Sequence, residues 1–173
     1  MRYQFEQCLE RGKIVKIEIA PDIISKEINE AKNDLDSCKR SMTERNFKWA
    51  IIQAYYSMFH SFRALIFSKG YREKSHSCIK YAIESLFVDA GALDNRLLQD
   101  FSYAMKIREG ADYGSVYSAD SALELQKSAI KIFDVFEPSP RLKAGDSRVH
   151  ITSLWLSSSQ ITSSTASVIV ASD

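Results

Sequence analysis

Apolar side chains in the first half of the chain recur with the spacing of an α-helix. After Pro21 they are separated alternately by four and three residues: Ile24, Ile28, Ala31, Leu35, Cys38 and Met42. Charged residues occupy the positions between them, so one side of the segment is apolar and the other is polar. The pattern predicts an amphipathic helix that begins at Pro21.

The following segment, NFKWAIIQAYYSMFHSFRALIFSKG, is apolar around nearly its whole circumference. Asn46 is a residue type that caps helices, and Gly70 is one that ends them. A helix without a polar side has to be surrounded by other elements. The segment therefore predicts a second helix at the centre of the fold.

Capping and terminating residues delimit three further helices, and no segment shows the alternating period of a strand. The predicted helices run from Ser75 to Gly91, from Asp94 to Gly110, and from Ser118 or Asp120 to Pro138. Leu93 and Leu98 flank the Asp94 cap as a hydrophobic staple. Five helices joined by short loops predict an all-α, up-and-down antiparallel bundle.

Composition changes near Pro138, and this divides the chain into three parts. Residues 1–20 form an N-terminal lead segment, and residues 21–137 form the bundle. Residues 138–173 are rich in Ser and Thr, have few charges and show no helical period, so we expect a disordered tail.

Charge and cysteine content favour a cytoplasmic protein without a membrane segment. The 23 Lys and Arg residues nearly balance the 22 Asp and Glu residues, so global charge requires neither nucleic acid nor an anionic membrane as a partner. The start of the chain lacks the apolar run of a signal peptide, and no run is long enough to span a membrane. Cys8, Cys38 and Cys78 are odd in number and widely spaced, which predicts reduced thiols rather than a disulfide or zinc site.

A polar stripe interrupts the predicted central helix. Gln53, Ser57 and His60 share one face, with Arg63 three residues further on. Such a stripe is costly unless its groups find partners. It predicts either a hydrogen-bonded network in the core or a groove that a ligand or second subunit completes.

Two further clusters contain cations at predicted helix ends. Arg72, Lys74 and Ser75 precede the third helix, where free backbone N–H groups attract anions; the simpler alternative is a capped loop. In KIREGADYG, Gly110 is expected to supply a left-handed turn after the fourth helix, with Arg108 in the last helical turn. This leaves Asp112 and Tyr113 without a structural role.

Three separated motifs together resemble one protein family. RGKIVKIE, NFKWAIIQAYYSMFHSFRALIFSKGYREKSH and REGADYG occur in the order seen in prokaryotic HEPN domains, specifically the small stand-alone UPF0332-like branch. The resemblance covers about residues 8–137. It implies a helical bundle that dimerises, a minimal nucleotidyltransferase partner in a toxin–antitoxin pair and, in active members, metal-independent ribonuclease activity.

The resemblance also implies a catalytic motif in which an arginine is followed, after four to six residues, by a histidine. Arg108 matches the arginine, but the position after four intervening residues holds Tyr113. The pKa of a tyrosine is near 10, against about 6.5 for a histidine. Removing the tyrosine proton at neutral pH therefore costs about 4 kcal/mol, which makes tyrosine a poor base. His76 and His60 are the candidates to replace it, through the fold or across a dimer.

These observations lead to one functional hypothesis and one rival. The hypothesis is a HEPN protein that binds the phosphate of a nucleotide or RNA through Arg108, with Asp112 and Tyr113 beside it and help from Arg72, Lys74 and Ser75. No cofactor or metal is expected, and the partners are a second copy and a nucleotidyltransferase. The rival is a non-catalytic helical interaction module in which the Arg108–Asp112 pair and the packing of Tyr113 attach a helix end to a neighbouring element.

Overall fold

A computed structural model describes residues 2–113 and 117–136 of the chain. Within these ranges six α-helices and two short strands follow one another, and α4 continues into a π-helical turn, Glu84–Val88. Their bounds are α1 Tyr3–Glu10, β1 Ile14–Lys16, α2 Pro21–Thr43, α3 Phe47–Ser68, β2 Tyr71–Glu73, α4 His76–Ile83, α5 Asn95–Tyr113 and α6 Ala119–Phe133. The prediction of an all-α bundle is confirmed, with the starts of the five predicted helices in place.

Helix α3 lies at the centre of the bundle, as its apolar circumference predicts. It packs against α2, α4, α5 and α6, and most of its side chains are buried. The stripe of α2 from Ile24 to Cys38 is buried against it. Ser118 caps α6 by accepting a hydrogen bond from the backbone N–H of Ser121 at 3.1 Å. The loops are short, so neighbouring helices run antiparallel.

A two-stranded antiparallel ribbon and the first helix were not predicted from the sequence. β1 pairs with β2 so that Ile14 faces Glu73 and Val15 faces Arg72. Backbone hydrogen bonds extend the ribbon at both ends, from Ile17 to Gly70 and from Lys74 to Lys13. Three-residue strands are too short to show a period of two, which explains why the pattern did not reveal them.

The N-terminal segment, residues 1–20, contributes to the core. Phe5 and Ile14 are at most 1% exposed, and both belong to the main hydrophobic cluster. The boundary between a lead segment and the bundle stays a prediction, while the predicted tail lies outside the described residues.

The predicted left-handed turn at Gly110 is wrong, because α5 continues through this glycine to Tyr113. A glycine inside a helix costs about 1 kcal/mol relative to alanine. Burial of Ala111 and an ion pair between Arg108 and Asp112, one turn apart, oppose that cost. The last turn of α5 therefore stays helical.

The expectation that all cysteines are reduced is also wrong, since the structure contains a disulfide between Cys8 and Cys78. Seventy residues separate the two, but α1 packs against α4 and brings their Cα atoms to 6.0 Å. That distance lies within the usual range for a disulfide. Cys38 is free and buried.

None of the helices within 2–113 and 117–136 is both long enough and apolar enough to cross a bilayer.

Candidate anion-binding site

Arg108 lies on α5, one turn before the end of the helix, with its side chain 22% exposed. One of its terminal nitrogens is 2.7 Å from a carboxylate oxygen of Asp112. The guanidinium carbon lies 5.5 Å from the ring centroid of Tyr55 and 5.9 Å from that of Tyr56. Its Nε is buried and has no hydrogen-bond partner among the described residues. The guanidinium is thus held on an aromatic surface with part of its donor capacity unused.

Tyr55 connects Arg108 to His76, the first residue of α4. The Tyr55 hydroxyl is 2.7 Å from Nδ1 of His76. Burial raises the pKa of Tyr55, although Arg108 opposes this shift, so the phenol keeps its proton at neutral pH. Because a buried hydroxyl proton needs an acceptor, we infer that Tyr55 donates to Nδ1 and that neutral His76 carries its proton on Nε2.

His76 is exposed on one side and supported on the other. Its ring stacks on Phe59 with centroids 4.3 Å apart. Burial lowers the pKa of His76, and the positive charges of Arg108 and Arg63 lower it further. At neutral pH the imidazole is therefore uncharged. It presents an Nε2–H donor, and would have to change tautomer to act as a base.

A cavity of about 580 Å³ opens beside His76. Its lining includes Phe59 and the residues Arg72, Lys74, Ser75 and His76, and we refer to it as the His76 cavity. Ser75 and His76 form the N-terminus of α4, whose free backbone N–H groups favour anions. The loop cations, the helix end and the histidine are thus brought together in one place.

His60 lies in a different environment from His76. Its Nδ1 is 2.7 Å from Glu27, a buried carboxylate that also pairs with Arg63 at 3.1 Å. Arg63 is in turn 2.8 Å from Glu73, whose pKa is raised by burial and lowered in part by Arg63. His60 and Arg63 of the polar stripe therefore belong to one ion-pair and hydrogen-bond network. Gln53 accepts a separate hydrogen bond from Ser41, and the buried Ser57 hydroxyl has no partner among the described residues.

A second cavity of about 930 Å³, the His60 cavity, is lined by residues that include His60, Arg63, Arg72, Ile19 and Ile23. His60 therefore faces this cavity, whereas His76 faces the smaller one. Of the two histidines considered as replacements for the motif histidine, His76 is the one connected to Arg108 through Tyr55.

Tyr55 and Phe59 were not singled out from the sequence, and the predicted role of Tyr113 stays a prediction. Tyr55 and Phe59 were counted as core residues of an apolar helix, and nothing in their spacing distinguishes them from core. The side chain of Tyr113 lies outside what the structure describes. Asp112 is one turn from Arg108, as the spacing of four requires.

The chain belongs to the HEPN domain family, whose model matches residues 24–138. It is 26% identical over 117 residues to a protein of Methanocaldococcus jannaschii named "Putative toxin MJ0142". That alignment covers 68% of this chain and 75% of the relative. A second protein of the same organism, "Putative toxin MJ0605", is 24% identical over 112 residues, or 58% of this chain and 84% of the relative.

Proposed function

We propose that this chain is a toxin-like HEPN protein that binds the phosphate of a nucleotide or RNA between Arg108 and His76. The observation that carries the proposal is that Tyr55 contacts both Arg108, which is a cation, and His76, which presents an N–H donor. Arginine suits phosphate because its planar donors bind two oxygens at once. The neighbouring His76 cavity adds Arg72, Lys74 and Ser75.

The names of the two relatives and the family itself support a toxin–antitoxin context. We extend the proposal to a homodimer that acts with a minimal nucleotidyltransferase as antitoxin. A cytoplasmic location completes it, since RNA would be the target. The disulfide between Cys8 and Cys78 opposes that location, because disulfides are rare in cytosolic proteins.

Metal-independent RNA cleavage is the second candidate function. The observation in its favour is that the fold supplies a histidine, His76, on the same tyrosine as Arg108, where the sequence motif has Tyr113 instead. The inferred tautomer works against it, since the outward nitrogen of neutral His76 already carries a proton. Phosphate binding is therefore placed first.

Calorimetric titration with ATP and with a short RNA tests the proposal. We expect Arg108→Ala to weaken binding about 10- to 100-fold, the effect of losing charged hydrogen bonds. Arg96→Ala is the matched control, because Arg96 is on the same helix, is 85% exposed and pairs with its own acid, Asp94. The same proteins incubated with RNA and a chelator report on cleavage.

Each outcome separates the proposal from its rivals. A protein that gives no heat with either ligand supports the interaction module, which the Arg108–Asp112 ion pair favours. RNA cleavage that survives Arg108→Ala removes the assignment of Arg108.

A further inference from the structure

The ribbon of β1 and β2 carries a group of cations on its outer face. Side chains alternate between the two faces of a strand, and Val15 pairs with Arg72 on the face opposite to buried Ile14 and Glu73. Lys13 and Lys74 continue the ladder on this same outer face, joined by a backbone hydrogen bond. All three cations, Lys13, Arg72 and Lys74, are exposed.

These like charges repel one another, and within the described residues none of them has an acid at ion-pair distance, although the charge of Arg72 helps to lower the pKa of Glu73. Like charges that face each other across a ribbon are destabilising. Glu73, the acid between Arg72 and Lys74, points to the inner face and pairs with Arg63 at 2.8 Å. Throughout residues 2–113 and 117–136, Lys13, Arg72 and Lys74 take part in no ion pair. The arrangement has a cost that a polyanionic ligand would remove.

The ribbon leads directly to the His76 cavity. Val15, Ile17, Arg72 and Lys74 belong to both the ribbon and the lining of that cavity. The ring of His76, stacked on Phe59, offers an exposed aromatic face at the end of the track. Unpaired bases stack on such rings, whereas bases inside a duplex cannot reach them.

The spacing of the cations suits a chain of phosphates better than one phosphate. Residues two apart on a strand are separated by roughly 6.6 Å, similar to successive phosphates of an extended single strand. Lys13 is not part of the lining of the His76 cavity, whereas Arg72 and Lys74 are. A mononucleotide in that cavity therefore leaves Lys13 unused, and a longer strand can reach all three cations.

We propose that the outer face of the ribbon, Lys13 with Arg72 and Lys74, holds successive phosphates of single-stranded RNA whose terminal base lies on His76. The inference rests on the proposed function and specifies its ligand as an oligonucleotide. It also adds Lys13, on β1's side of the ribbon, to the binding surface.

Fluorescence anisotropy with labelled RNA of one, three and six nucleotides tests this, over a series of salt concentrations. We expect affinity to rise with length and to fall with salt. Lys13→Ser should reduce the salt slope for the hexamer by about 0.7, the value for one phosphate contact on a single strand. Lys16→Ser is the matched control, because Lys16 is an exposed lysine three residues further along the chain, at the end of β1, and lies on the opposite face of the ribbon.

The outcomes distinguish this inference from the proposed function. If Lys13→Ser and Lys16→Ser give equal salt slopes while ATP binding still depends on Arg108, the ribbon does not bind RNA and the proposed phosphate site at Arg108 is retained. If the salt slope for the hexamer depends on Lys13 but not on Arg108, the ribbon binds RNA and the proposed phosphate site at Arg108 is rejected. A duplex or an acidic peptide that competes as well as the single strand overturns the proposed ligand class.

Discussion

At the scale of single residues, the central question is whether Asp112 neutralises Arg108 or only orients it. Asp112 engages one terminal nitrogen of the guanidinium, which has five N–H donors in all. The aromatic rings of Tyr55 and Tyr56 support the cation without supplying an acceptor charge. The pair is partly exposed, so an incoming phosphate can compete with the carboxylate. Arg108 is therefore positioned by Asp112 rather than saturated by it.

The pKa of His76 reports on whether Arg108 acts on this site through its charge. Because Arg108 is one of the cations that lower the pKa of His76, we expect Arg108→Gln to raise that pKa towards its ordinary value. An NMR titration of the ring protons measures it. Arg96→Gln, in the same helix, should leave the titration unchanged.

The same shift has a consequence for stability. A histidine with a lowered pKa binds protons more readily when the chain is unfolded, so its effect on stability is unfavourable as pH falls below about 6.5. Arg108→Gln should therefore lessen the loss of stability between pH 7 and 5, measured by urea unfolding. An unchanged His76 titration in this variant would show that the two groups are not electrostatically connected.

The sequence revealed some of the site residues but not their connections. Arg108 and Asp112 are four apart on one helix, so their pairing follows from helical geometry. The contact between Tyr55 and His76 joins residues 21 apart on different helices, and that of Arg108 with Tyr55 joins α5 to α3. Such contacts depend on how helices pack, which periodicity does not specify.

At the scale of elements, the long helices were predictable and the short elements were not. The stripe of α2 and the apolar circumference of α3 extend over many turns, so each gives a strong periodic pattern. The ribbon has three residues in each strand. Gly70, at φ +75°, marks the turn into β2, and a Cβ there would lie 3.3 Å from the carbonyl oxygen of Ile17. Tertiary pairing, not local pattern, defines this part of the fold.

The disulfide joins α1 to α4, two residues from His76, and its contribution to stability can be measured. Disulfides typically stabilise proteins by roughly 2–4 kcal/mol, chiefly by restricting the unfolded chain. We expect a reducing agent to lower the free energy of unfolding of the wild-type protein by about this amount. Cys8→Ser should unfold at the reduced protein's midpoint.

The reductant should have no effect on Cys8→Ser, which serves as the control. Cys38, the free and buried cysteine, is left unchanged in both proteins. If thiol titration of the unfolded, unreduced wild-type chain finds three free cysteines, the disulfide is absent in solution and the sequence-based prediction of reduced thiols is restored.

At the scale of the whole molecule, the two faces of α5 and α6 differ in what they present to solvent. The inner faces of both helices pack on α3, whereas Tyr103 of α5 and Leu123 of α6 are 40% and 41% exposed. Tyr103 lies in the middle of the exposed stripe of α5, between Gln99 and Lys106. We expect the homodimer in our proposal to use this exposed side of α5. Exposed large apolar groups at its centre support that choice, since such groups are enriched in interface cores.

Sedimentation velocity across a range of protein concentrations tests the homodimer. We expect a monomer–dimer equilibrium in the wild-type protein, and Tyr103→Arg should weaken association at least about tenfold, because a charge buried without a partner is costly. Tyr3→Arg is the matched control: Tyr3 is 68% exposed but lies on α1, away from the proposed interface. A wild-type protein that stays monomeric at the highest concentration contradicts the dimer. If both variants weaken association equally, the dimer is retained but its interface is not on α5. An interface that includes Tyr103 would make Tyr103→Arg the more damaging of the two substitutions.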